Sequence, residues 1–204
     1  MLLLAALPIG VVLGFLRGGS LRGFSEAKLR LGWLIPLALM LQVLLFPLSF
    51  DTNEGILPAR FVPFLYPLTY VLLLIGCLAN RRLAGMKVLA IGIASNALVI
   101  LANGGYMPAG AGDWENAGMP EPDSAAVHNN IVVSEGARLA WLGDTLVVPS
   151  WIPGAAVFSL GDILVALGGL LLVQGLMRLP KGRLDEEARS RPAGQELPVR
   201  KAYN

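Results

Sequence analysis

Two copies of the string Leu-Gly-Asp are the feature of this sequence that points most directly to chemistry. They end at Asp144 and Asp162, 18 residues apart. Two carboxyl groups brought close together cannot both ionise easily, so they could share a proton and divide the acid and base roles that activate water on an amide. One hypothesis is therefore an intramembrane aspartyl hydrolase that uses Asp144 and Asp162 as its catalytic residues.

Asp162 also has a structural interpretation, because it ends the string Ser159-Leu160-Gly161-Asp162 at the start of a glycine-rich apolar segment. In a capping box, the first and fourth side chains of such a string accept hydrogen bonds from each other's free backbone amides. The positive end of the helix dipole stabilises the carboxylate further. The pattern predicts that Ser159 and Asp162 cap a helix, which needs no catalytic role.

A second polar string, Asn-Gly-Gly-Tyr-Met-Pro, occupies residues 103–108. Its glycines free the backbone and expose amides, and the Asn103 side chain can both donate and accept. Asn103, Gly104 and Gly105, together with Ser159, are therefore candidate binding residues for a ligand or an oxyanion. The alternative is that Asn103 and Gly104 only end the preceding helix.

Two other polar residues, Gln42 and Asn96, lie deeper within apolar segments. Such side chains are typical hydrogen-bond partners between membrane helices. The chain has one cysteine, Cys77, and one histidine, His128. These cannot supply a thiolate cluster, a multi-histidine metal site or paired haem ligands, so we expect no cofactor and no metal.

The overall composition indicates that lipid is the solvent of this chain. Of its 204 residues, 55% are hydrophobic and 15% are charged, and the net charge is only +2, which does not favour a nucleic-acid partner. Continuous apolar segments must be helical in a bilayer, and crossing one takes about 20 residues. We predict an all-α integral membrane fold with about five transmembrane helices, in five apolar segments: 2–16, 31–50, 61–79, 88–103 and 155–178.

The basic residues predict the orientation of these segments. Fourteen of the 16 Lys and Arg residues follow the first, third and fifth segments, whereas the alternate loops contain only Arg60 and Arg138. The positive-inside rule then places the N-terminus outside and the C-terminus inside. We predict a membrane domain at 1–178, including a structured extracytoplasmic cap at 104–154, and a charged cytoplasmic tail at 179–204. Within the cap, 131–134 and 145–148 are expected to pair as a hairpin.

Four glycines recur every seven residues around the last segment, at positions 154, 161, 168 and 175. A step of seven residues returns to nearly the same face of a helix. Small residues let membrane helices approach closely, so the face formed by Gly154, Gly161, Gly168 and Gly175 packs either inside the chain or against a membrane-protein partner.

Three strings together resemble a family of small bacterial membrane proteins of unknown function: Leu16-Arg17-Gly18-Gly19, the string at 103–108, and Phe158–Ile163. The resemblance implies a five-helix fold in a bacterial cell membrane and no particular activity. Residues 158–162 are also similar to a catalytic motif of lipoprotein signal peptidases, which are membrane aspartyl proteases. In that motif an asparagine stands where this chain has Ser159 and an alanine where it has Gly161, and that family has four helices.

Each polar string thus has a structural explanation, and no complete catalytic set is present. The sequence favours a non-catalytic subunit or scaffold of a membrane complex. The alternative is the aspartyl hydrolase, acting at the outer leaflet through Asp144 and Asp162.

Overall fold

The computed structural model describes residues 2–27, 29–45, 56–110, 113, 116–118, 131–133, 136–152 and 156–178. This part of the chain is mostly helical, as predicted, and its long helices coincide with the five apolar segments. A short helix, α2, was not predicted. The helices are α1 (Leu2–Leu16), α2 (Arg22–Glu26), α3 (Leu34–Leu45), α4 (Val62–Ala79), α5 (Met86–Ala102) and α6 (Leu160–Met177).

Two of the described helices, α4 and α6, are long and apolar enough to cross a bilayer. Each has 18 residues, and at a rise of about 1.5 Å per residue this corresponds to about 27 Å. The hydrocarbon core of a bilayer is about 30 Å thick. Helices α1, α3 and α5 are also apolar, but their apolar stretches are 10–17 residues long. The number of crossings, about five, and their direction stay predictions.

The five long helices form a row. Helix α1 packs on α6, α6 on α5, α5 on α4, and α4 on α3. Consequently α1 and α3 lie at the two ends of the row, although they are close together in the sequence. One hydrophobic cluster joins the C-terminal part of α4 to the N-terminal part of α5 through Cys77, Met86, Ala90 and Ile93.

The glycine face of α6 packs inside the chain. A Cβ on Gly168 would lie 2.5 Å from the backbone nitrogen of Leu89 in α5, and one on Gly175 would lie 2.5 Å from the Cβ of Ala84. A Cβ on Gly161 would lie 2.9 Å from the carbonyl oxygen of Gly92. Of the two alternatives for this face, packing inside the chain is therefore the one observed for these three glycines, because α5 and the turn before it cover them. Gly154 lies outside the described residues.

The two ends of the row differ in character. At one end, which we call the basic end, Ser20 N–H donates to the Met177 carbonyl (3.0 Å) and Arg30 N–H donates to Asn80 Oδ1 (2.9 Å), so the turns before α3, between α4 and α5, and after α6 meet. At the opposite end, which we call the loop end, Gly105 packs directly on Pro63. The described basic residues of these turns, among them Arg30, Arg81 and Arg82, therefore lie at one end of the row.

Four short strands lie at the loop end. Strand β1 (Met107–Ala109) pairs in parallel with β2 (Ile131–Val133), and β3 (Leu146–Val148) pairs antiparallel with β4 (Ala156–Phe158). The predicted hairpin between 131–134 and 145–148 is wrong, because each segment has a different partner. Residues 156–158, assigned to the last apolar helix, are a strand that leads directly into α6 and brings β3 to its N-terminus. His128 and the tail at 179–204 lie outside the described residues.

Candidate functional site

The N-terminus of α6 is closed by the predicted capping box. Asp162 N–H donates to Ser159 Oγ (3.1 Å), and Ser159 N–H donates to Asp162 Oδ2 (3.1 Å). The backbone of Ser159 is extended, as is usual for a helix cap. The capping prediction is therefore confirmed, and the side chains of Ser159 and Asp162 each accept a hydrogen bond from one free backbone N–H at the start of α6.

Asn96 of α5 extends this box across the helix interface. Its Nδ2 donates to Asp162 Oδ1 (2.8 Å), and its Oδ1 accepts a hydrogen bond from Ser159 Oγ (3.0 Å). Ser159 and Asn96 are buried, with 0% and 2% of their surface exposed. Both oxygens of Asp162 therefore accept a hydrogen bond, and the expected interhelical role of Asn96 is confirmed.

Gly161, which lies within the capping box, allows this contact. A side chain on Gly161 would collide with Asn96 Oδ1. Gln42 shows the same kind of interhelical bond elsewhere in the row, because its Nε2 donates to Thr69 Oγ1 (3.0 Å) and so joins α3 to α4. The role expected for Gln42 is confirmed as well.

Asp144 is positioned by its backbone rather than by side-chain partners. Its N–H donates to the Pro108 carbonyl (2.9 Å), and Asp144 forms an isolated parallel bridge with Ala109. The preceding residue must be small, because a Cβ on Gly143 would lie 2.5 Å from the Pro108 carbonyl oxygen. Asp144 thus lies beside β1, the strand that follows α5 in the chain.

The side chain of Asp144 is largely buried. Only 7% of the residue is exposed, and Oδ1 has no hydrogen-bond partner among the described residues. Burial, and to a smaller extent the nearby charge of Asp162, together raise the pKa of Asp144 from 3.8 to about 8. Asp144 is therefore mainly protonated at neutral pH, because desolvation disfavours the charged form.

Two tyrosines of α4 complete the polar cluster. The hydroxyl groups of Tyr66 and Tyr70 are 3.0 Å apart, and their rings meet edge to face. Tyr70 also interacts with the Asn96 side chain and lies within electrostatic range of Asp144 and Asp162. Sequence reasoning missed this pair. The available signal was two tyrosines four residues apart within an apolar helix, which places both on one face.

The string at 103–108 acts as a helix end. Asn103 Nδ2 donates to the Val99 carbonyl (2.7 Å) and to the Arg138 carbonyl (2.8 Å), and Asn103 Oδ1 accepts from Arg138 N–H (2.9 Å). Gly104 and Gly105 have φ angles of +69° and +94°, which favour glycine. The capping alternative is confirmed. The two hydrogen bonds to Arg138 also connect the segment at 136–142 to the end of α5.

A family comparison fits this picture. The model of a family of unknown function, DUF5317, matches residues 26–174. The chain belongs to the DUF5317 family. The matched region includes α3, α4, α5 and the polar cluster, whereas α1 lies before it. The suggested membership of a family without a known activity is therefore confirmed.

One curated relative shows the same lack of an assigned role. An uncharacterized protein of Thermotoga maritima is 31% identical over 109 residues, which cover 51% of this chain and 59% of the relative. The chain thus matches less than two thirds of that protein. No solved structure matches the chain.

The DUF5317 chain brings one protonated and one hydrogen-bonded carboxyl group into the same cluster. Asp144 can donate a proton near neutral pH, whereas Asp162 accepts hydrogen bonds from Asn96 and Ser159. Such a difference in environment is what separates acid and base roles in carboxyl pairs. No group of three or more potential metal ligands occurs in the part of the chain that the structure describes.

Proposed function

We propose that this DUF5317 member is a multi-pass membrane protein whose helix row is embedded in a bilayer. The observation that carries the proposal is an exposed stripe along α4, formed by Phe64, Leu68, Val71, Ile75 and Leu78, which are 41–75% exposed. These residues are spaced three or four positions apart and lie on one face. A stripe of large apolar side chains is stable against hydrocarbon, whereas water would favour polar residues there.

The other helices support the same environment. Only 33% of α4 and of α6 is buried inside the protein, whereas the core helix of a soluble domain is mostly buried. Each of the remaining long helices also exposes large apolar side chains, among them Ile9, Val12 and Phe15 in α1, Leu39, Met40 and Val43 in α3, and Ile91, Leu98 and Leu101 in α5.

Exposed tryptophans at both ends of the row support the proposed position of the bilayer. Trp33 precedes α3 at the basic end and is 62% exposed, whereas Trp141 and Trp151 lie at the loop end and are 65% and 80% exposed. Tryptophan is enriched at both membrane interfaces, because its ring prefers the headgroup level. The row between them then corresponds to the hydrocarbon core.

The orientation can be tested with reporter fusions. A reporter fused after Asn204 is expected to be active in the cytoplasm, and one inserted after Gly136 in the long loop is expected to be active outside. The reason is the 14-to-2 division of basic residues between the two sets of loops. Gly136 suits the insertion because it is exposed and has no atom near its Cβ position. Reporter activity on the opposite sides would refute the proposed direction.

Within the membrane, we propose a non-catalytic role as a subunit or scaffold of a complex. The support is that the polar side chains of the cap stabilise the fold itself: Asp162 accepts from Asn96 and Ser159, and Asn103 bonds to Val99 and Arg138. The outer faces of α1 and α3, at the ends of the row, are the edges against which another helix could pack.

This role predicts an assembly. After solubilisation in a mild detergent, the protein is expected to run as a particle with a protein mass well above the 21.6 kDa of one chain. Light scattering with correction for bound detergent measures that mass. A harsh detergent serves as the control and should release the single chain. A strictly monomeric protein in every mild detergent would count against the scaffold.

The second candidate is an aspartyl hydrolase, which is favoured by the buried Asp144 carboxyl group near Asp162; Oδ1 of Asp144 has no hydrogen-bond partner in the described part of the chain. Asp144 would supply the proton and Asp162 would activate water. Asn at either position should then abolish complementation of a deletion strain, because an amide cannot exchange that proton. Full complementation by both variants would remove the hydrolase from consideration.

A further inference from the structure

Asn80 joins two arginine-bearing turns at the basic end. Its Nδ2 donates to the carbonyl oxygens of Arg30 (2.8 Å) and Gly76 (2.8 Å), while its Oδ1 accepts from Arg30 N–H (2.9 Å). Asn80 is only 6% exposed. Because these three bonds fix the backbone of Arg30 against the end of α4, the turn before α3 and the turn after α4 form one rigid unit.

An open groove of about 780 Å³ lies between these two turns. Its basic residues are Arg30, Arg81 and Arg82, and its apolar walls include Leu31, Leu78 and Leu83. A neighbouring groove of about 690 Å³ shares Arg81 and Arg82 and adds Lys87. Among the described residues, no carboxylate forms an ion pair with any of these three arginines. The guanidinium groups therefore leave a positive charge available to a ligand.

The groove is continuous with the apolar surface of the row. Leu78 is the last residue of the exposed α4 stripe and also lines the groove. A molecule that follows the stripe toward the basic end therefore reaches the arginines directly. The ligand that fits this arrangement has an apolar part that lies along α4 and an anionic part that ends among the arginines.

We infer that this groove binds the phosphate group of an anionic phospholipid, with an acyl chain lying along the α4 stripe. The inference rests on the proposed embedding in a bilayer. Guanidinium groups bind phosphate oxygens with paired hydrogen bonds. Basic pockets at the cytoplasmic ends of membrane helices are common sites for anionic headgroups, and each arginine near such a headgroup contributes about a fivefold gain in affinity.

The test compares variants of the full chain in detergent. The probe is tail-labelled phosphatidylglycerol in neutral mixed micelles, and its dissociation constant is measured by fluorescence anisotropy. The double variant Arg81→Gln/Arg82→Gln is expected to weaken binding about 25-fold, because two contributions of about fivefold are lost. The matched control is Arg22→Gln/Arg178→Gln, which removes the same charge from exposed residues at the same end but outside the groove. It is expected to change the dissociation constant less than threefold.

Three competitors separate the possible sources of the phosphate. Unlabelled phosphatidylglycerol should displace the probe, whereas phosphatidylcholine with the same acyl chains should do so far less well. Inorganic phosphate at millimolar concentration should leave the probe bound, because it lacks the apolar part. Displacement by inorganic phosphate alone would assign the groove to a free anion and overturn the lipid proposal.

Equal weakening by the two double variants would show a diffuse charge effect and would also overturn the site. Thermal unfolding of each variant without lipid establishes that it is folded. If Arg81→Gln/Arg82→Gln fails to fold, the single variants replace it, each with an expected loss of about fivefold in affinity.

Extraction of native membranes with alkaline carbonate distinguishes a failure of the lipid proposal from a failure of the proposed membrane embedding. A protein that stays in the membrane pellet but binds no phosphatidylglycerol refutes the groove alone, whereas a protein that is released refutes the embedding.

Discussion

Asp144→Asn is expected to stabilise the protein at neutral pH and to remove part of the pH dependence of its unfolding. In the folded chain, burial and the charge of Asp162 raise the pKa of Asp144 from 3.8 to about 8. Between these two pH values the unfolded chain releases a proton that the folded chain retains. The free energy of unfolding of the wild type therefore falls as the pH rises through this window, and the contribution is constant above it.

The size of the effect follows from the width of the window. Each pH unit inside it lowers the free energy of unfolding by about 1.4 kcal/mol. Between pH 5 and pH 7, the stability of Asp144→Asn relative to the wild type is therefore expected to rise by about 3 kcal/mol. Reversible unfolding in mixed micelles measures this difference at each pH. The contributions of the other titrating groups cancel in this difference, because both proteins contain them.

Asp162 provides the matched control, because its carboxylate is hydrogen-bonded rather than isolated. Asp162→Ala leaves the Asn96 amide and the Ser159 N–H without their acceptor and is expected to destabilise by about 2–4 kcal/mol. Asp162→Asn keeps one oxygen and should cost about half of that. It also removes the charge that acts on Asp144, so the pH-dependent window should narrow without disappearing.

Opposite signs at the two positions are the decisive result. If Asp144→Asn destabilised the protein at pH 7, the native Asp144 carboxyl group would have to make a stabilising interaction. That result would contradict the prediction that burial disfavours its charged form. If both asparagine variants kept their stability but failed to complement a deletion strain, the hydrolase would replace the scaffold as the better account. Full complementation by both would leave the carboxyl pair with a structural role.

Gly161→Leu is expected to prevent close packing of α5 and α6 and to leave little folded protein. A Cβ at this position would collide with Asn96 Oδ1 and lie 2.9 Å from the Gly92 carbonyl oxygen. Overpacking usually costs about 1–3 kcal/mol. Here we expect a loss above about 3 kcal/mol, because the collision also breaks the bonds that Asn96 makes to Ser159 and Asp162. The yield of monodisperse protein and its melting temperature measure the effect.

Gly136→Leu is the control for this substitution, because no atom lies within 4 Å of its Cβ position. It should leave the melting temperature nearly unchanged. Leucine has a higher helix propensity than glycine by about 1 kcal/mol, so a lipid-facing position 161 would be stabilised by the same change. A Gly161→Leu protein that is as stable as the wild type would therefore refute the α5–α6 packing.

The parts of the structure that follow from local sequence were predicted correctly. Continuous apolar segments predict α1, α3, α4, α5 and α6, because a long apolar segment specifies a helix without reference to distant residues. The capping box at Ser159 and the helix end at Asn103 also depend on neighbours within four or five positions. The same holds for the position of the described basic turns at one end, because turns alternate between the two ends of successive helices.

Other features depended on residues that are far apart in the chain, and only the tertiary structure decided them. Strand β4 leads into α6 and pairs with β3, whereas β1, which follows α5, pairs with β2. The alternating pattern of a short strand does not identify its partner, so the predicted hairpin was wrong. The glycines of α6 marked a close contact, but their spacing could not indicate whether α5 or another protein supplies the opposite helix.

The polar cluster combines both kinds of information. The Leu-Gly-Asp strings made Asp144 and Asp162 equivalent in the sequence, but the fold makes them different. Asp162 lies at a helix N-terminus that supplies an amide, and Asn96 reaches it through the gap that Gly161 leaves. Asp144 is buried against β1 with Oδ1 unpaired among the described residues, so desolvation keeps its proton. Local sequence determines which groups can ionise, whereas the solvation and hydrogen bonds that decide whether they do so come from distant parts of the chain.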